Sequence, residues 1–133
     1  MSTLEQIADG IATALNTITT LRATADMPAV INPPTAFPSL AQQEFDQDFE
    51  GSRKAVWSVV ILVSASDTRT AQSGLWAYLD KSGTSSVKLA LEADSTLSGT
   101  VSDLTVTDSK AIQTYTIAGT DYMGAEVGFW TID

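Results

Sequence analysis

The chain has 133 residues, with 16 acidic and 7 basic side chains, a formal net charge of −9, and neither histidine nor cysteine. This composition excludes disulfides, thiol nucleophiles, histidine-based catalytic triads and zinc sites built from histidine or cysteine. It also disfavours direct DNA binding, because tight binding of phosphates depends on lysine and arginine.

The length predicts a single domain over residues 1–133, and a hydrophobic content of 44% is ordinary for a globular protein. No apolar run approaches the roughly 18 residues that a membrane helix needs. The N-terminus lacks the basic start and apolar block of a signal peptide, so we expect synthesis in a cytoplasm.

The first segment, from Thr3 to about Leu21, is predicted to be an amphipathic helix. Its apolar residues recur at helical spacing and form one stripe. Ser2 or Thr3 is suited to cap the N-terminus of this helix. The negative charge of Glu5 stabilises its first turn by interacting with the helix macrodipole. Because Gly10 and several threonines weaken helix propensity, we expect this helix to depend on packing against a sheet.

Prolines dominate the segment from Asp26 to Leu40. Proline lacks the N–H that a central strand needs, so this segment is predicted to be an edge strand or an extended arm with a short pairing element at Val30–Ile31. Two interpretations stay open, a plain surface loop and an arm that a neighbouring subunit uses. In the second, the candidate interface residues are Val30, Ile31, Pro33 and Pro34.

An acidic residue stands at every second position between residues 42 and 51. In a strand this period places all four carboxylates on one face. No base lies between Arg22 and Arg53, so nothing local is expected to neutralise them. Three interpretations are open: a solvated face without a special role, a repulsive surface lining a channel or partner contact, and a metal site, although the segment lacks the glycine and terminal glutamate of a calcium loop. This acidic row consists of Glu44, Asp46, Asp48 and Glu50.

Residues 55–64 are largely apolar at both the odd-numbered and the even-numbered positions. This pattern predicts a central strand that is covered on both faces. A helix capped by Ser66 and Asp67 is predicted to follow. Trp76 lies off the apolar stripe of that helix, so we expect it to be exposed and regard it as a candidate subunit contact. The stripe consists of Ala71, Leu75, Tyr78 and Leu79.

The C-terminal part predicts a short helix, Val87 to about Ala93, and three strands, Val101–Thr107, Ile112–Ala118 and Tyr122–Ile132. The connections between the strands are short, so we expect antiparallel neighbours. The order of elements predicts an α+β fold: one mostly antiparallel sheet with the N-terminal helix and two further helices packed on it.

No arrangement of residues predicts an active site. The chain contains no dinucleotide fingerprint and no P-loop. Asp67 and Arg69 resemble a small polar site, but helix capping and a local ion pair explain them. Glu92 and Asp94 are the only candidate carboxylate pair for an acid-based hydrolase, and surface charge explains them better. We therefore expect no enzyme, no cofactor and no metal.

The ordered set of segments resembles the tail terminators of long, non-contractile-tailed bacteriophages, and the resemblance covers nearly the whole chain. No single motif is specific to this family; the number of matching segments and their order carry the resemblance. The matching segments are the N-terminal helix, Val30-Ile31-Asn32-Pro33-Pro34, Phe45–Phe49, Val56–Arg69, Leu75-x-x-Tyr78-Leu79, Gly83–Asp94, Thr96–Leu104 and Gly119–Val127.

The resemblance implies a tail-terminator-like domain, with the proline arm and an acidic hairpin at about residues 26–54. It implies a ring, usually a hexamer, in the virion at the head-proximal end of the tail tube, which stops tube polymerisation and joins the tail to the head connector. The implied partners are other copies of the chain, the tail tube protein and the head completion protein. DNA would pass through the ring without specific binding and without a membrane being involved.

Under this interpretation the acidic row faces the channel, because like charges repel the phosphates of passing DNA. Related folds serve in neighbouring roles, so the alternative is another neck, head–tail connector or tube subunit of the same virion. From other classes, an acid-based hydrolase and a small acidic module that sequesters a basic partner stay open.

Overall fold

The computed structural model of the chain describes residues 3–18, 21–26, 33–45, 53–64, 68–81, 83–97 and 99–132. These residues form three helices and six strands. In chain order the elements are α1 (Leu4–Leu15), β1 (Arg22–Ala23), β2 (Thr35–Phe45), β3 (Arg53–Ser64), α2 (Thr68–Leu79), α3 (Val87–Ala93), β4 (Asp103–Ser109), β5 (Gln113–Ile117) and β6 (Thr120–Ile132).

The strands form one sheet in the order β1-β2-β3-β6-β4, with β5 also paired to β6. All pairings are antiparallel except the short one between β1 and β2. The long β3 lies between β2 and β6, and its residues from Trp57 to Val63 are buried. The prediction of a central strand covered on both faces is confirmed.

The helices lie against one face of the sheet and enclose the main core. Alternate residues of β3, such as Val59 and Ile61, face this core together with Phe129 of β6. The helices contribute residues that include Ile11 of α1 and Leu75 of α2. The predicted mixed fold with three helices is therefore present, although the sheet is the larger part of it.

The helix α1 ends at Leu15, earlier than the predicted end near Leu21. The side chain of Asn16 explains the difference, because it donates to the backbone oxygen of Ala23 and accepts from the same residue's N–H, both at 3.0 Å. These two bonds turn the chain back toward β1. Ile18 and Leu21 are still buried, so the apolar pattern continues beyond the helix that it predicted.

The strand β2 overlaps the segment that the prolines predicted to be an arm or edge strand. Pro38 lies inside β2, opposite Val59 of β3. The carbonyl oxygens of Pro34 and Ala36 accept bonds from the β1 side, so the nitrogen of Pro38, two residues further on, faces away from β3. The proline therefore removes no bond from the β2–β3 ladder. Val30 and Ile31 lie outside the described residues.

The prediction that the last three strands are successive antiparallel neighbours is correct for β5 and β6 and wrong for β4 and β5. The strands β5 and β6 form a hairpin, with Ala118 and Gly119 at its turn in left-handed conformations of φ 53° and 81°. The strands β4 and β5 do not pair with each other. They follow one another along the same side of β6, separated by residues 110–112, because β6 is long enough to pair with both.

Candidate functional surfaces

The sheet face opposite the helices carries the candidate channel residues, and we call it the open face. Its members are the residues of β1 to β6 whose side chains alternate with those of the main core. Directly paired residues share a face, so the sheet register defines cross-strand rows. The first row runs Glu44, Lys54, Ile132 and Asp103, and a later row contains Val60 and Glu126.

Of the predicted acidic row, only Glu44 is within the described residues. It lies near the end of β2 on the open face and directly opposite Lys54. The pairing of β2 with β3 sets Lys54 on the strand beside Glu44, although the two residues are ten positions apart in the sequence. Asp46, Asp48 and Glu50 lie outside the described residues.

The described strands place three acidic side chains on the open face that are not part of the predicted row. Asp103 and Asp108 come from β4, and Glu126 comes from β6. With Glu44 they make four carboxylates. The described strand residues set two bases on the same face, Lys54 and also Arg22 of β1, because Arg22 pairs with Thr35 and Thr35 pairs with Leu62. The ammonium of Lys54 lies 5.6 Å from the centroid of the Trp130 ring, which is within the range of a cation–π contact.

A narrow strip of small residues crosses the middle of the open face. Ser58 of β3 pairs with Gly128 of β6, which pairs with Asp108 of β4. The Asp108 carboxylate lies directly over the Gly128 Cα, in the space that a Cβ would occupy. Thr107 donates a 2.9 Å bond to Asp108 Oδ1 and fixes the carboxylate there. The missing side chain of Gly128 is thus what lets this carboxylate lie across the face.

A second polar group on the open face surrounds Tyr115 of β5. Gln113 Nε2 donates to the Tyr115 hydroxyl at 3.0 Å, and that hydroxyl donates to Glu126 Oε2 at 3.4 Å. Burial raises the pKa of Tyr115 most, and the Glu126 carboxylate raises it further, while the bond from Gln113 acts in the opposite direction. The Tyr115 ring lies over Gly124, where a Cβ would come within 2.7 Å of it.

Beyond this group the open face becomes apolar. Phe37, Val60 and Leu62 form a second, smaller core there. Residues of the β5–β6 hairpin, including Tyr115 and Tyr122, pack against it. The open face is therefore charged at the end where β2 stops. It is covered by apolar and aromatic side chains at the end where the β5–β6 hairpin turns.

The predicted interface residues Pro33 and Pro34 line an apolar groove beside α2. The groove has a volume of about 240 Å³. We call it the proline groove; its lining is Pro33, Pro34, Val63, Ser64, Thr70, Ala71, Gly74 and Tyr78. The start of β2 is held against β1 by a 3.1 Å bond from the Arg22 N–H to the Pro34 oxygen. The two prolines that the sequence singled out thus meet α2.

Trp76 lies on the outer side of α2 with 58% of its surface exposed, so the prediction that it is exposed is confirmed. Ala71, Leu75 and Tyr78 of the predicted stripe are buried, and Leu79 is partly buried. Ser66 and Asp67 lie outside the described residues.

The two carboxylates of the candidate hydrolase pair, Glu92 and Asp94, have different surroundings. Lys88 forms an ion pair with Glu92 one turn further along α3. Asp94 follows the end of α3 and lines a different feature, an open cleft of about 450 Å³ between α1 and the turn after α3. Among the described residues no group of three or more potential metal ligands occurs. No described helix is both long and apolar enough to cross a membrane.

Sequence reasoning missed three contributors to these surfaces: Asp108, Glu126 and Gly74. The signal for Glu126 was present, since small or polar residues alternate with apolar ones along β6 and place Glu126 away from the core. Asp108 was assigned to a connection, and the bulge next to it could not be read from the sequence. Gly74 is important only because of the prolines opposite it, which are distant in the chain.

Comparison with known proteins gives no further assignment, since no protein-family model and no curated protein matches the chain.

Proposed function

We propose that the chain is a structural subunit of a bacteriophage tail, a tail terminator that forms a ring at the head-proximal end of the tail tube. The observation that carries this proposal is the acidic open face, on which the described strand residues set four carboxylates against two bases, Lys54 and Arg22. The order of segments along the chain, which resembles the terminator family, gives the proposal its specific form.

The open face suits the wall of a channel that DNA must cross. Neighbouring strands lie about 4.8 Å apart, so Glu44 and Asp103, three strands apart, span roughly 14 Å of surface. This span exceeds the Debye length of about 8 Å at physiological ionic strength, so each carboxylate repels a phosphate mainly at close range, and the spacing distributes that repulsion across the face. A ring lined by such faces repels phosphates on all sides and holds no strand of DNA in place.

The proposal assigns the other surfaces to assembly. The proline groove and Trp76 are the subunit contacts within the ring, which we propose to be a hexamer in the virion. The two ends of the ring then meet the tail tube protein on one side and the head connector on the other. In this function the chain catalyses no reaction and needs no cofactor.

A second candidate uses the same surfaces: another neck, head–tail connector or tail tube subunit of the same virion. The acidic open face favours it equally, because every component of the DNA passage has to avoid gripping phosphate. The two candidates differ in where the protein binds along the tail.

Electron microscopy of the purified chain at high concentration, alone and with isolated tail tubes, tests the proposal. We expect closed rings with a central hole, and rings bound to one end of each tube. Binding along the tube, or incorporation into it, would favour a tube subunit instead. The absence of rings both in solution and on tube ends would overturn the proposal.

A further inference from the structure

The proline groove has the size and chemistry to accept a single aromatic side chain. A cavity of about 150 Å³ lined by apolar side chains binds benzene in another protein, and this groove offers about 240 Å³. Its walls are mostly apolar, with Pro33 and Pro34 on one side and α2 on the other. Proline pairs are bound by aromatic side chains in many peptide-recognition sites, so an aromatic occupant suits these walls.

The described part of the same chain exposes a large aromatic side chain. Three large hydrophobic residues of the described structure are exposed, and Trp76 is more exposed than the other two, Leu40 and Leu89. Tryptophan is the residue type most enriched in interface hot spots. Because each copy carries a net charge of −9, copies repel one another over a distance, and an apolar contact is needed to hold them together.

The exposed indole and the groove lie on opposite sides of the same helix. Gly74 and Ala71 line the groove, whereas Trp76 is two positions beyond Gly74 and therefore roughly 200° around the helix axis. A copy cannot fill its own groove with its own Trp76. Two copies related by a two-fold axis would need both patches to meet at one interface, which this arrangement opposes.

We propose that Trp76 of one copy of this chain inserts into the proline groove of the next copy. The contact is head-to-tail, so each copy donates one indole and accepts one, and repetition by rotation closes a ring. This inference rests on the proposed ring function and identifies the contact that builds the ring.

Two variants remove the two halves of the contact separately. Trp76→Ala removes the indole, and Gly74→Phe places a ring at a residue that lines the groove. A Cβ at Gly74 meets no atom within 4 Å, so the backbone there accepts a side chain. We expect each variant alone to weaken self-association by at least about 30-fold, the effect of losing a hot-spot tryptophan. Leu89→Ala, which removes another exposed apolar side chain, is the matched control and should assemble like the wild type.

Mixing the two variants gives the decisive measurement. The Gly74→Phe copy keeps its Trp76 and the Trp76→Ala copy keeps its groove, so one intact contact forms between them. We expect sedimentation and mass photometry to show a one-to-one dimer and nothing larger. Circular dichroism of each variant establishes that both are folded.

The outcomes separate this contact from the ring itself. If the wild type forms rings and either single variant forms them equally well, the proposed contact is wrong and the ring proposal stands. The same holds if the mixture of the two variants contains no dimer. A wild-type chain that forms no assembly in solution or on tail tubes would overturn both.

Discussion

The indole nitrogen of Trp57 donates a 3.1 Å hydrogen bond to the hydroxyl oxygen of Thr131 across the neighbouring strands β3 and β6. Both side chains are buried in the helix-covered core, with 4% and 0% of their surfaces exposed. A buried indole N–H without an acceptor is costly, so Thr131 is the reason that a tryptophan is tolerated in the centre of this sheet.

Replacing Thr131 by valine should lower the free energy of unfolding by about 1–3 kcal/mol, because the shape is kept while the Trp57 N–H loses its acceptor. Urea unfolding followed by circular dichroism measures the change. Thr105→Val, at a half-buried position on the open face, is the control and should change stability by less than about 0.5 kcal/mol. Equal effects of the two variants would show that the buried hydrogen bond contributes nothing particular.

Alanine at two glycines should have opposite effects. At Gly124 a Cβ would come within 2.7 Å of both the Ile61 backbone oxygen and the Tyr115 ring, so Gly124→Ala should destabilise the fold by about 1–3 kcal/mol. At Gly74, inside α2, a Cβ meets nothing, so Gly74→Ala should stabilise it by about 0.5–1 kcal/mol. Thermal unfolding of the two variants side by side tests the prediction, which fails if both shift the midpoint in the same direction.

Reversing the charge of the first row of the open face should increase the affinity of the chain for DNA. With Glu44→Lys and Asp103→Lys, the three charged positions of the row that includes Lys54 are all lysine. We expect the double variant to bind duplex DNA with an affinity that falls steeply as salt rises. The matched control reverses two exposed acids on the helix side, Glu5→Lys and Asp80→Lys. Equal binding by both double variants would show that net charge, and not the open face, decides.

Alkaline pH should destabilise the wild type through Tyr115. Because burial raises its pKa above the usual 10.0, the folded state holds the phenol proton more tightly than the unfolded state. The resulting stability is present below pH 10 and is lost as the pH rises through the raised pKa. Tyr115→Phe should therefore lose less stability than the wild type between pH 9 and pH 11. Identical slopes in urea unfolding across that range would contradict this.

The sequence predicted the elements whose patterns come from their own residues. The short helix after residue 86 was predicted correctly, because Ser86 caps it and accepts a bond from the Leu89 N–H at 3.1 Å. Thr3 was one of the two predicted caps of the N-terminal helix, and Thr3 and Gln6 exchange the two bonds of a capping box there. Such signals need only three or four neighbouring residues, so they can be recognised in the sequence without knowledge of the rest of the fold.

The elements that were misjudged depend on distant partners. The helix α1 ends early because Asn16 finds the backbone of Ala23, a contact that no periodicity indicates. The run of prolines hid β2, since Pro38 is compatible with a strand only when its nitrogen faces away from the paired neighbour. Glu44 was expected to be unopposed, yet the register of β2 and β3 sets it beside Lys54.

The candidate surfaces divide in the same way. Exposure of Trp76 followed from the helical wheel of α2 alone, whereas the groove that we assign to it needs Pro33 and Pro34 to meet Gly74. A sequence can indicate the residues of each wall of such a groove separately, but not that the two walls lie side by side. Only the folded chain brings the two walls together.

The outward-facing nitrogen of Pro38 and the register shift between Leu40 and Gln42 have a consequence for the free protein before assembly. A strand edge with a missing donor and a broken register is a poor template for a strand from another molecule. Free copies of the chain are thereby protected from joining edge to edge into fibrils. Association is left to side-chain contacts, which can separate and form again.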